Sequence, residues 1–500
     1  MLGNWFGFIN LIIEDFKDYC KKNEKFIFYI CFAFFIILTT IGVIYHETWY
    51  DEAQAWLIAQ DLSFFEMLKY MRYEGHMFLW YTMIMPFAKL GMTFPYPIQI
   101  INLLMIWGAV YVLWKKAPLN PLIKALITFS TPIAYQYAVV ARSYAVGILL
   151  LFLLAALFKK KLQHPYIYAI LIFFCANNNA LTLFGATAFG LLFFWDYVTT
   201  KKDFYKSKEF YILCTIALFC VFMIGYQLIG ADKQSEYLEL TRIVTNKNRF
   251  LLWNICYALV NCETKNLFIP VVMTYLVLAA LTFKYEKKSL FLWLFTTLGL
   301  YSLHYYFYLG WPWHYYFFYI YFVIALWLYK ENVKEKSPYY PLLITFFIVV
   351  SYIQIQNTIS YYTNDIDQNY SSGKEFAYKI SNIPEIKNKR IIIMEPFLHG
   401  VIPYFRQKNI NVIDFYSGEY ASFYDYRIKA LDFLSPRIIN HKNFKKYEKE
   451  SIYLGIGNPK VLKKCYKGKD YKIKFIGDCT FPGLGDNTSY CIVKLIPTHN

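Results

Sequence analysis

Charge is scarce in this sequence. Asp, Glu, Lys and Arg supply 17% of the 500 residues, against about 25% in an ordinary soluble domain. A chain this poor in charge cannot clothe a water-facing surface of its own size. Acidic residues are the scarcer sign, 34 against 51 Lys and Arg, for a formal charge of +17. No nucleic-acid motif accompanies that excess, so no nucleic-acid partner is expected. The ten cysteines contain no CxxC pair, which excludes the common zinc spacings. No small-residue cleavage site follows the first apolar block, so that block reads as a retained anchor rather than a signal peptide. No repeat of fixed period occurs, which argues against a solenoid or an obviously duplicated transporter. The apolar blocks also lack the polar stripe of a soluble amphipathic helix.

What is abundant is apolar and aromatic, 57% and 21% of the chain. The apolar residues fall into blocks of about 20, the length that crosses a bilayer as a helix. Lys clusters at 17–25, 115–116, 159–161, 201–208, 284–288 and 330–336 sit at block ends and mark the cytoplasmic side by the positive-inside rule. Crossings are then expected at 25–45, 98–114, 122–140, 142–158, 165–178, 180–197, 210–230, 267–283, 289–309, 315–329 and 339–356. The fold class expected is an α-helical multi-pass membrane protein of about 11 transmembrane helices with a small C-terminal extracytoplasmic α/β domain. The membrane module is 1–356 and the outer domain 357–500. Charge counting leaves one crossing between 76 and 114, so 76–91 is assigned to the first outer loop, 46–97. Residues 1–16 read as a short helix lying on the membrane. The protein belongs in the plasma (inner) membrane with its N-terminus cytoplasmic.

The outer domain alternates strand and helix signals. IIIMEPF (391–397), VIDFY (412–416), SIYLGIG (451–457), YKIKFIG (471–477) and SYCIVKLI (489–496) read as strands. Residues 399–409 (HGVIPYFRQKN) between the first two read as a helix. A Cys479–Cys491 bridge suits an oxidising compartment.

Unusual polar residues gather on the outer side of this threading. The first loop, HETWYDEAQAWLIAQDLSFFEMLKYMRYEGH (46–76), holds His46, Asp51, Glu52, Asp61, Glu66, Glu74 and His76. Its Trp- and Leu-rich helix is expected to lie at the membrane surface. Thr48-x-x-Asp51 also fits a helix capping box, a role compatible with catalysis because a capped helix start is rigid. Arg142 in YAVVARSYAVG lies between two apolar helices. It either binds a lipid phosphate bidentately or snorkels to the interface. The stretch HYYFYLGWPWHYYFFYIYF (304–322) turns at 310–312, with His304 and His314 flanking aromatics that serve as an interface belt or stack on sugars. Arg242 and Arg249 in the loop 231–266 are further phosphate candidates. The run Asn177–Asn178–Asn179 falls on the same side.

Taken in order, Asp51-Glu52-Ala53, Tyr73-Glu74-Gly75-His76, Ala141-Arg142-Ser143-Tyr144 and the late Trp313-His314 turn resemble the bacterial protein-mannosyltransferase-like (family 39-like) group of GT-C glycosyltransferases. The resemblance covers most of 25–356. It departs at Met77, where relatives often carry Pro, and at Trp313, where Arg is common. It implies a multi-pass transferase that takes a sugar from a polyprenyl-phosphate carrier at the outer face. Asp51 is then the base, Glu52 and Glu74 are its neighbours, and Arg142 is the phosphate ligand; His76, Arg242 and His314, on the same outer side, are further substrate-binding candidates.

The chemistry agrees with that expectation. A phosphate leaving group needs charge neutralisation rather than a general acid, so one carboxylate base suffices. A single displacement inverts the anomeric carbon. A divalent cation, Mg or Mn, held by Asp51 and Glu74 would also suit hard oxygen ligands. The acceptor would be a glycan, lipid or protein hydroxyl, with membrane lipids around it. The rivals are a transporter or flippase of lipid-linked sugars, which needs charges at mid-membrane, and a non-catalytic scaffold.

Overall fold

The computed structural model describes residues 22–229, 251–261, 265–308, 310–386, 389–393, 396–415, 417–427, 452–456, 471–480 and 490–497. Long apolar blocks form helices because no water is available to their backbone groups within a bilayer. Helices occupy Glu24–Tyr45, Tyr96–Lys116, Ser143–Leu157, Pro165–Ala176, Ala180–Thr200, Lys208–Leu228, Lys265–Phe283, Lys287–Ser302, Pro312–Asn332 and Tyr340–Asp367. Among the described residues, six are long and apolar enough to cross a membrane. Pro312–Asn332 runs through the middle, buried continuously from His314 to Tyr329. Glu24–Tyr45 lies at the edge and turns Phe26, Ile30, Phe34 and Ile37 outward, the aspect of a lipid-facing stripe. This is a membrane protein.

Side-chain contacts give the bundle two chemically distinct ends. At one end Lys124 pairs with Glu24 at 2.8 Å, while Lys161 and Lys288 both reach Asp196 at 2.7 Å. At the other end His46 meets Asp365 at 3.1 Å, Asn178 donates to the Ser143 carbonyl at 2.9 Å, and Gln227 donates to Asn177 at 2.9 Å. The lysines therefore collect at the end opposite Asp51 and Arg142, as the charge pattern implies.

Several expectations are corrected. The crossing expected over 122–140 is broken: an eight-residue helix, Pro121–Thr128, gives way to a π-helical turn at Pro132–Gln136. Pro132 has no N–H for a continuous helix, and Thr131 donates its hydroxyl to the Gln354 carbonyl at 2.7 Å instead. The stretch 76–91, kept in the first outer loop by the charge count, holds a helix only at Phe78–Lys89. Its 12 residues span about 18 Å, short of the roughly 30 Å hydrocarbon core, and they pack on the helix that carries Asp51. The first outer loop does not lie flat on a membrane. Its helix Tyr50–Asp61 is buried on nearly all sides, and the polar Glu52 and Gln54 that go in with its apolar residues are hydrogen-bonded there. A second loop helix, Phe64–Glu74, starts at a reciprocal cap in which Ser63 N donates to Glu66 at 2.8 Å. The last bundle helix continues to Asp367, past the expected boundary at 356.

The terminal α/β domain forms one sheet of β1 (Arg390–Ile393), β2 (Asn411–Asp414), β3 (Ile452–Ile456), β4 (Tyr471–Thr480) and β5 (Tyr490–Pro497), in the order β2-β1-β3-β5-β4. β1 runs parallel to β2 and β3, while β5 is antiparallel to β3 and β4. A 3-10 turn and helix over Pro396–Gln407 make the β1–β2 crossover. Cys491 on β5 is disulfide-bonded, while the side chain of Cys479 and residues 1–16 lie outside what is described.

Candidate active site

The helix bearing Asp51 is capped one residue away from where the spacing suggests. Glu52 accepts from the Trp49 backbone N–H at 3.1 Å, while the Thr48 hydroxyl bonds Tyr404 of the terminal domain. Glu52 thus takes the capping duty, and Asp51 is left facing out.

Glu52 is fully buried and used up by structure. One oxygen accepts from Ala141 N–H at 2.9 Å, and the other from Trp49 and from His46 Nε2 at 3.3 Å. Asp51, by contrast, keeps a side chain 27% exposed and forms an ion pair with Arg142. Of the adjacent carboxylates, only Asp51 can meet a substrate. Glu52 instead fixes the backbone on both sides of the pair, since it neighbours Asp51 in sequence and holds the residue before Arg142.

Arg142 divides its guanidinium between two partners. Nη1 donates to Asp51, and Nη2 donates to His76 Nε2 at 2.8 Å. Because guanidinium has no acceptor, Nε2 must be the bare nitrogen of a neutral imidazole. Burial, with Arg142 adding to it, pushes the His76 pKa down to about 3. Arg142 also lies 5.7 Å above the Tyr144 ring.

Glu74 sits beside this pair as a buried carboxyl. It accepts from Gln54 and from the Tyr81 hydroxyl, each at 3.3 Å. Burial raises its pKa to about 8, with nearby Asp51 adding to the rise against the Gln54 hydrogen bond. At neutral pH Glu74 is mostly protonated, so it is not a competing anion next to Asp51.

His314 is reached only through Tyr144. Its Nδ1 accepts from the Trp311 N–H at 2.8 Å, which places the proton on Nε2, 2.9 Å from the Tyr144 hydroxyl. It fixes the start of the central helix and the ring under Arg142, a positioning duty rather than open substrate contact. His304 turns to the Tyr308 carbonyl at 3.1 Å. Arg242 and Arg249 lie outside the described residues.

Other residues of the site stand out in the sequence only by their place on the outer side, with no role attached. His46 is sandwiched between carboxylates, with Nδ1 3.1 Å from Asp365 and Nε2 3.3 Å from Glu52, and Tyr135 donates to the same Asp365 oxygen at 2.8 Å. Burial would lower the His46 pKa, but the hydrogen bonds to Asp365 and Glu52 override it and lift it to about 10. The Asn run is a bolt: Asn178 and Asn179 hold Ser143, and Asn177 receives Leu79 N–H on its carbonyl at 3.3 Å. It thereby fixes the starts of the two helices that follow Arg142 and His76.

The carboxylates do not make a ready cation site. Among the described residues no group of three or more His, Cys, Asp or Glu side chains could hold a metal ion. Asp51 is engaged by a guanidinium, and Glu74 holds its proton near neutrality. A cation held by Asp51 and Glu74 would have to displace the Arg142 guanidinium from Asp51.

No protein-family model matches the chain, and no curated protein matches it in sequence. Solved structures do match. The crystal structure of ArnT from Cupriavidus metallidurans bound to undecaprenyl phosphate superposes with a TM-score of 0.56 at 10% identity, over 93% of this chain and 97% of that one. The fold resembles that of ArnT. The apo crystal structure of ArnT aligns with a TM-score of 0.50 at 11% identity, over 92% and 97% of the two chains. The likeness is one of fold, and it runs over most of the chain. The ArnT likeness does not single out the protein-mannosyltransferase-like subgroup. Nor does it assign a role to any residue, so the roles below rest on the geometry of Asp51, Glu74, His76 and Arg142.

Proposed function

We propose that this protein is an inverting glycosyltransferase that moves a sugar from a polyprenyl-phosphate carrier to an acceptor hydroxyl at the outer face of the membrane. The Asp51–Arg142 pair carries this reading: a reachable carboxylate and a guanidinium held together at one end of an ArnT-like bundle. The ArnT structure with undecaprenyl phosphate supports a polyprenyl-phosphate donor by analogy of fold. The lysines at the opposite end support an N-terminus in the cytoplasm and a terminal domain outside.

In this mechanism the acceptor oxygen attacks the anomeric carbon while the carbon–oxygen bond to phosphate breaks. The bonding pair leaves on the phosphate oxygen. Asp51 takes the hydroxyl proton, a contribution of roughly 10²–10⁴-fold. Arg142 turns from Asp51 to the phosphate and balances the charge that develops there. His76 stays neutral and orients the guanidinium. Glu74, protonated, keeps a second negative charge away from the incoming phosphate.

The test is Asp51→Asn in a host lacking the protein, with surface glycans read by mass spectrometry. The product glycan disappears at normal protein level. Unchanged glycans would remove the transferase reading.

A further inference from the structure

The terminal domain touches the Asp51 helix at three places. Gly400, in the turn after β1, lies so near Tyr50 that a Cβ there would stand 3.0 Å from the Tyr50 Cα and 3.3 Å from its nitrogen. Tyr50 immediately precedes Asp51. One turn along, Gln54 reads both backbone groups of Tyr424: its oxygen accepts from Tyr424 N–H at 2.8 Å, and its nitrogen donates to Tyr424 C=O at 2.9 Å. The same Gln54 nitrogen reaches Glu74. At the far end of the helix, Arg406 grips Asp61 with two bonds, at 2.7 and 2.9 Å. Tyr70 of the second loop helix adds a bond to Tyr424 C=O at 2.9 Å.

These contacts have a common geometry. Two of them fall on residues beside or bonded to the site, Tyr50 next to Asp51 and Gln54 on Glu74, and all of them come from the turn around Gly400 or from segments 402–407 and 421–427. A domain that merely rode on the bundle would need no glycine against the backbone beside the base. Nor would it thread a backbone peptide onto the glutamine that orients Glu74.

We propose that the terminal domain is a positioning element of the active site: Gly400 seats the start of the Asp51 helix, and Tyr424 sets Glu74 through Gln54. The inference rests on the transferase reading above. The domain makes no contact with the reacting atoms. It fixes where the base stands, and misplacement of a catalytic group by about 1 Å can cost on the order of 10²-fold in rate.

The test uses the full-length protein with Gly400→Ala and Gln54→Ala, and with Gly373→Ala as a control in the same domain, where an added Cβ meets only ordinary contacts at 3.6 Å or more. Three quantities are read: surface glycan yield at matched protein level, undecaprenyl phosphate binding by native mass spectrometry, and amide hydrogen exchange. Gly400→Ala and Gln54→Ala each lower glycan yield at least tenfold and speed exchange over residues 50–61. They leave lipid binding and exchange over β1–β5 unchanged, and Gly373→Ala changes nothing. Wild-type yield and wild-type exchange over 50–61 in both variants would overturn the proposal. If Gly400→Ala unsettles the sheet itself, Gln54→Ala decides alone, since the substituted residue lies outside the domain. Asp51→Asn run alongside separates the two readings: glycans that survive it contradict the transferase, and the positioning role is then judged by exchange over 50–61.

Discussion

His46 and Asp365 lie 319 residues apart and share a buried hydrogen bond of 3.1 Å. One ends the first bundle helix and the other ends the last, so this bond closes the bundle beside the site. His46 also reaches Glu52, which holds Ala141 next to Arg142. Removing Asp365 leaves a buried imidazolium short of one partner, a loss on the order of 3–5 kcal/mol. Asp365→Asn and His46→Gln are each expected to lower the thermal midpoint of the detergent-solubilised protein. The double variant is expected to be no worse than the worse single one, as a shared interaction requires. Full additivity in a double-mutant cycle would contradict this.

The same bridge makes stability depend on pH. The folded pKa of His46 lies near 10, above the roughly 6.5 of a free histidine. Its contribution is therefore complete below about pH 6.5, declines between there and pH 10, and is gone above. Thermal melts at stepped pH should show that decline for the wild type and a flatter profile for His46→Gln.

Glu74 is expected to work as a neutral acid. Glu74→Gln preserves its size and hydrogen-bonding while removing the titration. It is expected to retain activity within about tenfold at pH 7, whereas Glu74→Ala leaves Gln54 and Tyr81 without a partner and loses more. Wild-type activity should carry an ionisation near pH 8 that Glu74→Gln lacks. A pH–rate profile of the two proteins checks this.

Arg142 bridges Asp51 and His76 through two nitrogens of one plane. A lysine ammonium is a point charge and cannot reproduce that fork. Arg142→Lys and Arg142→Ala are both expected to lose about 10²–10³-fold in transfer, with Lys little better than Ala. Comparing transfer rates at saturating and limiting lipid donor gives the result.

Because Asp51 is engaged by Arg142 and Glu74 keeps its proton, transfer is expected to survive exhaustive EDTA treatment and to gain nothing from added Mg or Mn. Loss of activity with EDTA, restored by either ion, would show that the carboxylates rearrange around a cation.

Much of this was legible in the sequence, for identifiable reasons. Helix positions follow apolar blocks, and the two ends follow lysines, because both are imposed by the bilayer rather than by distant contacts. The five strands were visible because each is a short β-branched or aromatic run. Arg142 stood out as a charge between two apolar helices, and Asp51, Glu74 and His76 as ionisable residues gathered in one outer loop. What was hidden depends on contacts across the chain. Asp365 looks like the polar end of a helix until His46 is seen opposite it. Glu52 could not be told from Asp51, because which of two adjacent carboxylates is buried is settled by the Ala141 backbone. The break at Pro132 was masked by the apolar residues around it. Gly400 carries no signal until Tyr50 lies against it.

The central claim is that Asp51 drives sugar transfer off a polyprenyl phosphate. It is tested most directly in proteoliposomes supplied with a panel of undecaprenyl-phosphate-linked sugars and a membrane extract as acceptor, measuring free undecaprenyl phosphate. The wild type is expected to release it from at least one donor in an acceptor-dependent way, with Asp51→Asn slower by about 10²-fold or more. Release from no donor, or equal release by the two proteins, would contradict the account.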